Sequence, residues 1–314
     1  MFGYIANTDQ RWFEFLRAQQ RHDDEEVNFW FPSDFRIFRG PVGSPWLFRL
    51  KSPVNMIGGF GVVERAERLP EYLAWECFGK GNGAETLQEL EARITELRQK
   101  SDIQHRPGRE QIACTVLSQP VFLPPELWIP QPTDWKKANL RYERYDLTHG
   151  EGLRVWQACL AHARMISAPV IETVERALAA ERYGKPVEIR PRLGQGGFRL
   201  AVTDAYGRAC AVTQEHSLPV LEASHIQPYG KGGTHDVPNG LLLRSDLHRL
   251  FDRGYVTVTP ERQFRVSRHL RDDFSNGRSY YPLDGLAIAL PDNPAEWPSP
   301  ELLNWHNEHV FRSS

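Results

Sequence analysis

Leu221-Glu222-Ala223-Ser224-His225-Ile226-Gln227-Pro228, followed by Asn239-Gly240-Leu241-Leu242-Leu243-Arg244-Ser245-Asp246-Leu247-His248, is the stretch on which the reading of this chain turns. It sets a His, an Asn and a second His at intervals of 14 and 9 residues. The first histidine closes an apolar, strand-like run from Pro219 to Ile226, where its ring can face an open cleft. Asn239 follows Pro238 at what reads as a helix start. His248 then falls about 2.5 turns into that helix at the 3.6-residue period.

The pattern continues as Arg249-Leu250-Phe251-Asp252-Arg253-Gly254 and a strand-like run from Tyr255 to Thr259. Together these residues resemble the HNH endonuclease motif, a ββα unit around one divalent metal. Upstream, Arg192 to Arg199 and Tyr206 to Thr213 resemble the lead-in of an HNH subfamily found in bacterial restriction endonucleases. Trp305-His306-Asn307-Glu308-His309-Val310-Phe311 is similar to its last helix, so the resemblance spans residues 185–314. It implies phosphodiester hydrolysis with Mg²⁺, Mn²⁺ or another divalent ion. In that reading a neutral imidazole at His225 takes a proton from water, and the metal offsets charge on the phosphate and the leaving oxygen. His248 is the implied metal ligand. Asn239 either orients His225, ligates the metal through its oxygen, or caps the helix.

The chain departs from that family in two places. Many members hold a structural zinc with two Cys-x-x-Cys pairs; here Cys210 stands alone, and no structural zinc is expected. Many also carry an acidic ligand immediately before the base, where this chain has Ser224. Glu222, two residues earlier on the same strand face, is the substitute ligand. Asp252 lies one helical turn after His248 and either orients its ring or closes the helix. His235 and Asp236 sit in a Gly-rich loop that reads as solvent-exposed, with DNA contact as the functional alternative. His216 reads as structural.

Composition sets bounds. With 314 residues, 40% apolar and 25% charged, the chain has length for two domains and an ordinary balance. No run approaches the roughly 18 apolar residues of a membrane helix. Asp9 and Arg11 interrupt Met1 to Phe15, so no signal-peptide core is expected. Four dispersed cysteines suit reduced thiols in a cytoplasm. Net charge is −2, and residues 185–314 hold 15 Lys or Arg against 15 Asp or Glu. Arg262, Arg265, Arg268, Arg271 and Arg278 suit bidentate phosphate contact, yet a neutral half grips DNA weakly without sequence help. Double-stranded DNA is the expected partner, with modified cytosine as the candidate mark. A homodimer stays open, and a membrane is not expected.

The front half, 1–150, reads as β-rich. Phe29 to Ser33, Trp46 to Leu50, Met56 to Val63 and Ile112 to Leu117 are the expected strands. Leu87 to Leu97 is an amphipathic helix by its 3–4 spacing. Leu153 to Tyr183 reads as two helices broken at Pro169, forming a linker over 151–184. Phe29-Trp30-Phe31-Pro32-Ser33, Leu47 to Pro53 and Gly58-Gly59-Phe60-Gly61 resemble the PUA-like superfamily that includes EVE and ASCH domains. That likeness implies a small β-barrel whose pocket takes a modified base flipped from a duplex. Trp30, Asn55, Phe60 and Trp75 are the candidate base contacts, among aromatics that also include Trp46, Trp128 and Trp135. A base stacked between two rings gains roughly 1–3 kcal/mol. Each ring is equally an ordinary core residue, and Asn55 could simply satisfy turn backbone. The expected fold is α+β: a PUA-like barrel, a helical linker and a ββα nuclease. Two rivals stand beside it. One is a catalytically inactive DNA-binding regulator, suggested by Ser224. The other is a nuclease gated by a front domain that senses a small molecule or partner protein.

Overall fold

The computed structural model describes residues 1–19, 26–33, 37–100, 111–136, 141–166, 194–275 and 277–313. The chain divides into two compact units, Met1–Gly194 and Gln195–Ser314. Together they make a mixed α+β protein.

The first unit is built on one mixed sheet. Its strands are β1 (Phe2–Thr8), β2 (Val27–Phe31), β3 (Pro45–Leu50), β4 (Met56–Pro70), β5 (Gln111–Phe122), β6 (Ile129–Pro130) and β7 (Tyr142–Asp146). The order is β2-β5-β4-β3-β1-β7, with β6 paired to β4. β1 and β3 run parallel, and the other neighbours are antiparallel. Register shifts between Phe60 and Val62 and between Val63 and Arg65 break the long β4–β5 pairing. Such irregularities bend the strand and increase local twist. Among the described residues no pairing joins β2 to β7, so the sheet remains open where a closed barrel was expected.

Both faces of the sheet are covered: Ile5, Trp46, Leu47, Phe48 and Phe60 are completely buried, although Trp46, Leu47 and Phe48 are successive residues of β3 and point to alternate faces. Each such side chain contributes roughly 1.5–3 kcal/mol of transfer free energy. Helix α1 (Gln10–Ala18) starts at Asp9, whose carboxylate accepts the Trp12 N–H at 3.1 Å, and it buries Trp12, Phe13 and Leu16 at 3–4 spacing. Helices α2 (Glu71–Phe78) and α3 (Leu87–Lys100) follow, with Leu90 and Ile94 fixing α3 as its periodicity predicts. Helix α4 (Gly150–Ile166) buries Val155, Trp156, Cys159 and Ala163 in the same core as Ile5, Leu47 and Phe60. It is therefore packed into the front unit instead of bridging freely. The second linker helix expected after Pro169, and its closure at Gly184 to Pro186, lie outside the described residues.

The second unit begins with α5 (Gln195–Ala205) and a two-stranded hairpin, β8 (Leu221–His225) and β9 (Gly240–Arg244), paired from Leu221↔Arg244 to His225↔Gly240. Helix α6 (Ser245–Asp252) follows directly, then β10 (Val256–Val258), β11 (Phe264–Val266), α7 (His269–Phe274) and α8 (Pro300–His309). The helix expected to start at Asn239 begins six residues later. Asn239 ends a short 3₁₀ turn, Val237–Asn239, and Leu241, Leu242 and Leu243 form a strand, each completely buried. Three successive buried leucines need cover on both faces, which a hairpin strand packed against α5 and α6 receives and one stripe of a surface helix does not. His248 accordingly lies in the opening turns of α6. No described helix is long and apolar enough to cross a membrane.

Candidate active site

The hairpin, α5 and α6 bring His225, Asn239, Glu222 and His248 onto one small ββα frame. His225 ends β8, opposite Gly240. An added Cβ at Gly240 would meet Val202 Cγ2 at 2.4 Å and Phe198 Cζ at 3.0 Å, so glycine lets α5 lie against the hairpin. Phe198 then stacks under the His225 ring, with centroids 3.8 Å apart and planes 14° apart. The other edge of that ring meets a second imidazole: His225 Nε2 lies 2.9 Å from His235 Nδ1. His235 is itself stacked on Tyr229 at 4.6 Å and 7°. Burial, with His235 and His248 close by, pushes the His225 imidazole down to about 4. Burial also holds His235 below its ordinary value, against the pull of Asp236. Both rings are neutral at physiological pH, the state a general base requires.

Asn239 is completely buried. Its Oδ1 accepts the Gln227 N–H at 2.8 Å, and its Nδ2 donates to Gln227 O at 2.9 Å and Thr234 O at 2.8 Å. The side-chain amide thus ties both ends of the 227–234 loop, and the backbone carbonyl of Asn239 accepts the Ile226 N–H beside His225. The loop is tight, since a Cβ at Gly233 would fall 1.9 Å from Gln227 O. With both polar ends of its side chain engaged by backbone, Asn239 has the contacts of a positioning residue.

On the α6 side, His248 Nδ1 lies 2.6 Å from Glu222 Oε2, and its Nε2 lies 3.4 Å from Asp252 Oδ2. With its Nδ1 edge on Glu222, the ring turns its Nε2 edge to the Asp252 side. Partial desolvation raises the Asp252 carboxyl and Glu222 adds repulsion, while His248 pulls the other way. Its side chain stays 57% exposed, so solvent screens much of that shift. Ser224, where many HNH enzymes carry an acid, is completely buried, and among the described residues its Oγ has no hydrogen-bond partner. Among the described residues no group of three or more His, Cys, Asp or Glu side chains forms a ready-made metal cage. The donor set is nonetheless suitable: two carboxylates around an imidazole match divalent ions that accept oxygen and nitrogen, Mn²⁺ more readily than oxygen-seeking Mg²⁺.

The front-half candidates are dispersed. Trp30 is buried, its indole N–H donating to Asn82 O at 2.9 Å. Phe60 is completely buried against Trp156, with centroids 5.0 Å apart. Neither ring offers a free face to a ligand. Trp75 is only partly buried on α2. Asn55, at φ 53°, accepts from Arg49 Nη2 at 2.8 Å. Sequence reasoning passed over that arginine. Arg49 also donates to Asn7 Oδ1 at 2.5 Å and Gln131 Oε1 at 2.8 Å, with its guanidinium 4.8 Å above the Trp135 ring. Desolvation lowers its pKa. All three hydrogen-bond acceptors are neutral amides. The sequence reads His235 as solvent-exposed, with DNA contact as the alternative, and Phe198 only as part of the lead-in segment. Their one signal was the return of a loop histidine to a strand-end histidine, visible only once the loop closes.

Residues 210–259 match the family model described as HNH endonuclease, a segment that contains the whole His225–Asn239–His248 pattern. This bears out the C-terminal resemblance. No curated protein matches the chain. Among solved structures, the ASCH protein from Zymomonas mobilis is similar over 49% of this chain and 94% of its own, at 13% identity and a TM-score of 0.32. A point mutant of that protein covers 50% of this chain and 96% of its own, at 13% identity and a TM-score of 0.31. A structure described as the modification-dependent TagI restriction endonuclease covers 92% of this chain and 77% of its own, at 12% identity and a TM-score of 0.28. These three overlaps are too loose to carry a functional assignment.

Proposed function

We propose that the second unit is a metal-dependent DNA endonuclease centre and that the chain acts as a modification-dependent restriction enzyme. The observation that carries the nuclease reading is the pair of imidazoles on one ββα frame: neutral His225 at the strand end, and His248 between two carboxylates.

His225 takes a proton from water, the resulting hydroxide attacks phosphorus, and the bond to the 3′ oxygen breaks, that oxygen taking a proton from solvent to leave as a hydroxyl. Neutrality is what the step needs, because a protonated ring cannot accept. Phe198 fixes the plane of the ring, and Asn239 holds the strand end and the loop beside it. His248, with Glu222 and Asp252, would hold the metal. When bound, a divalent ion offsets charge on the phosphate and on the leaving oxygen.

In the front unit the reader role moves away from Trp30 and Phe60, which are core. Asn55, held by Arg49 beside Trp135, remains as a contact for an extruded base, whereas Trp75 lies beyond the opposite end of β4. A reader that concentrates DNA at the centre suits a nuclease half with balanced charge. The test is cleavage of matched duplexes carrying cytosine, methylcytosine or hydroxymethylcytosine, with and without Mg²⁺ or Mn²⁺. Preferential, metal-dependent cleavage of a modified duplex is expected. Metal-dependent cleavage that ignores modification removes the reader and leaves the sensor-gated nuclease. No cleavage under any condition leaves the inactive regulator.

A further inference from the structure

The loop between β8 and β9 carries a histidine that the proposed hydrolysis leaves without a task. His235 Nδ1 lies 2.9 Å from His225 Nε2, and among the described residues this is the single hydrogen bond of the His225 ring. Two neutral imidazoles in contact share one proton, so one ring donates and the other accepts. Were His235 the donor, it would occupy the Nε2 lone pair of His225, and the proton on Nδ1 would leave His225 with no free acceptor. With His225 donating Nε2–H, its Nδ1 lone pair is free for a substrate water.

We propose that His235 is a positioning residue that fixes His225 in the Nε2–H tautomer by accepting this bond at Nδ1, leaving His225 Nδ1 as the proton acceptor. The inference rests on the endonuclease reading. His235 is well built for the task. Tyr229 lies parallel to its face at 4.6 Å, and Phe198 is tilted against it at 5.8 Å. The peptide just before it is anchored, because buried Asn239 donates to Thr234 O at 2.8 Å. The contact of Asn239 with Thr234 thereby reaches the base through His235. As His225 accepts the proton, its bond to His235 becomes charge-assisted, and such bonds are about twice as strong as neutral ones. The titratable neighbours of the pair are His248 beside His225 and Asp236 beside His235. A ring recruited to touch DNA would need neither the in-line contact nor the stacked support.

The test compares full-length His235→Ala, His235→Asn and His225→Ala with the parent in steady-state plasmid cleavage, beside ¹⁵N NMR of histidine-labelled parent without DNA. His235→Ala should lower kcat by about 10–100-fold, the usual cost of losing an outer-shell partner, with KM for DNA unchanged. His235→Asn should recover much of that loss, because its amide oxygen can accept the same bond. The ring nitrogens of His225 should report the Nε2–H tautomer. A His235→Ala protein with parental kcat, a loss confined to KM, or an Nδ1–H His225 would overturn the proposal. Should His235→Ala fail to fold, the parent's tautomer decides. If His225→Ala cleaves like the parent, His225 is not the base and the reading of this centre falls, while the parent's tautomer still reports which ring donates in the His225–His235 bond.

Discussion

Replacing Asn239 separates a clamp from a metal ligand. The side chain is completely buried and makes three hydrogen bonds of 2.8–2.9 Å to Gln227 N, Gln227 O and Thr234 O. Asn239→Ala removes all three and strands their backbone partners in a tight loop. At about 1 kcal/mol net per bond the loss is about 3 kcal/mol, a large share of the 5–15 kcal/mol typical of a folded domain. Asn239→Asp is the sharper variant. A carboxylate is a better metal ligand than an amide, but it cannot donate, and it would set negative charge against the carbonyls of Gln227 and Thr234. The clamp therefore predicts that Asn239→Asp is destabilised at least as much as Asn239→Ala and inactive at every metal concentration. Urea unfolding, with amide hydrogen exchange read across residues 226–240, gives the stability; a Mn²⁺ titration of cleavage gives the metal response. An Asn239→Asp protein of parental stability that cleaves at lower Mn²⁺ would refute the clamp and make Asn239 a ligand.

Two further expectations follow from individual contacts. Glu222→Gln keeps the shape beside His248 but loses the charge, so half-saturating metal for cleavage should rise about 10–100-fold; an unchanged titration would mean that Glu222 contributes no more than its shape. Acid should loosen the second unit through His306, which is buried, stacked on Phe251 at 3.7 Å, and bonded to Thr257 Oγ1 at 2.9 Å and Phe251 O at 3.1 Å. Burial pushes this imidazole down to about 4, so the folded state favours the neutral ring. Its contribution is complete above the ordinary histidine value of 6.5 and is lost as pH falls from there towards 4, about 3 kcal/mol in all. Urea unfolding at pH 7 and pH 4 should show that loss in the parent and a smaller one in His306→Gln; equal losses would remove His306 as the cause.

Much of the site was legible because its chemistry is local. The spacing of His225, Asn239 and His248, and the carboxylate at Glu222, mark a centre whatever packs around it. Strands β2 to β5 were legible as aromatic and β-branched runs bounded by turn residues, although β4 and β5 run on past the expected ends to Pro70 and Phe122, and helix α3 was legible from its 3–4 spacing. The run Leu241 to Leu243 was not. A short, wholly apolar segment fits a buried strand and a buried helix alike until its partner is known, and the partner is β8. Trp30 and Phe60 misled in a related way, because what an aromatic ring does depends on what covers it. Arg49 was hidden by long-range pairing: β1 and β3 run parallel with Asn7 opposite Arg49, and Gln131, the residue after β6, comes alongside only after the chain returns.

The central claim is that His225 is the base of a metal-dependent nuclease, and its most direct test is single-turnover cleavage by a folded His225→Ala protein at saturating Mn²⁺ and DNA. The account predicts a rate about 10²–10⁴-fold below the parent, the usual cost of losing a general base, with metal and DNA binding retained. A parental rate from that protein would contradict it.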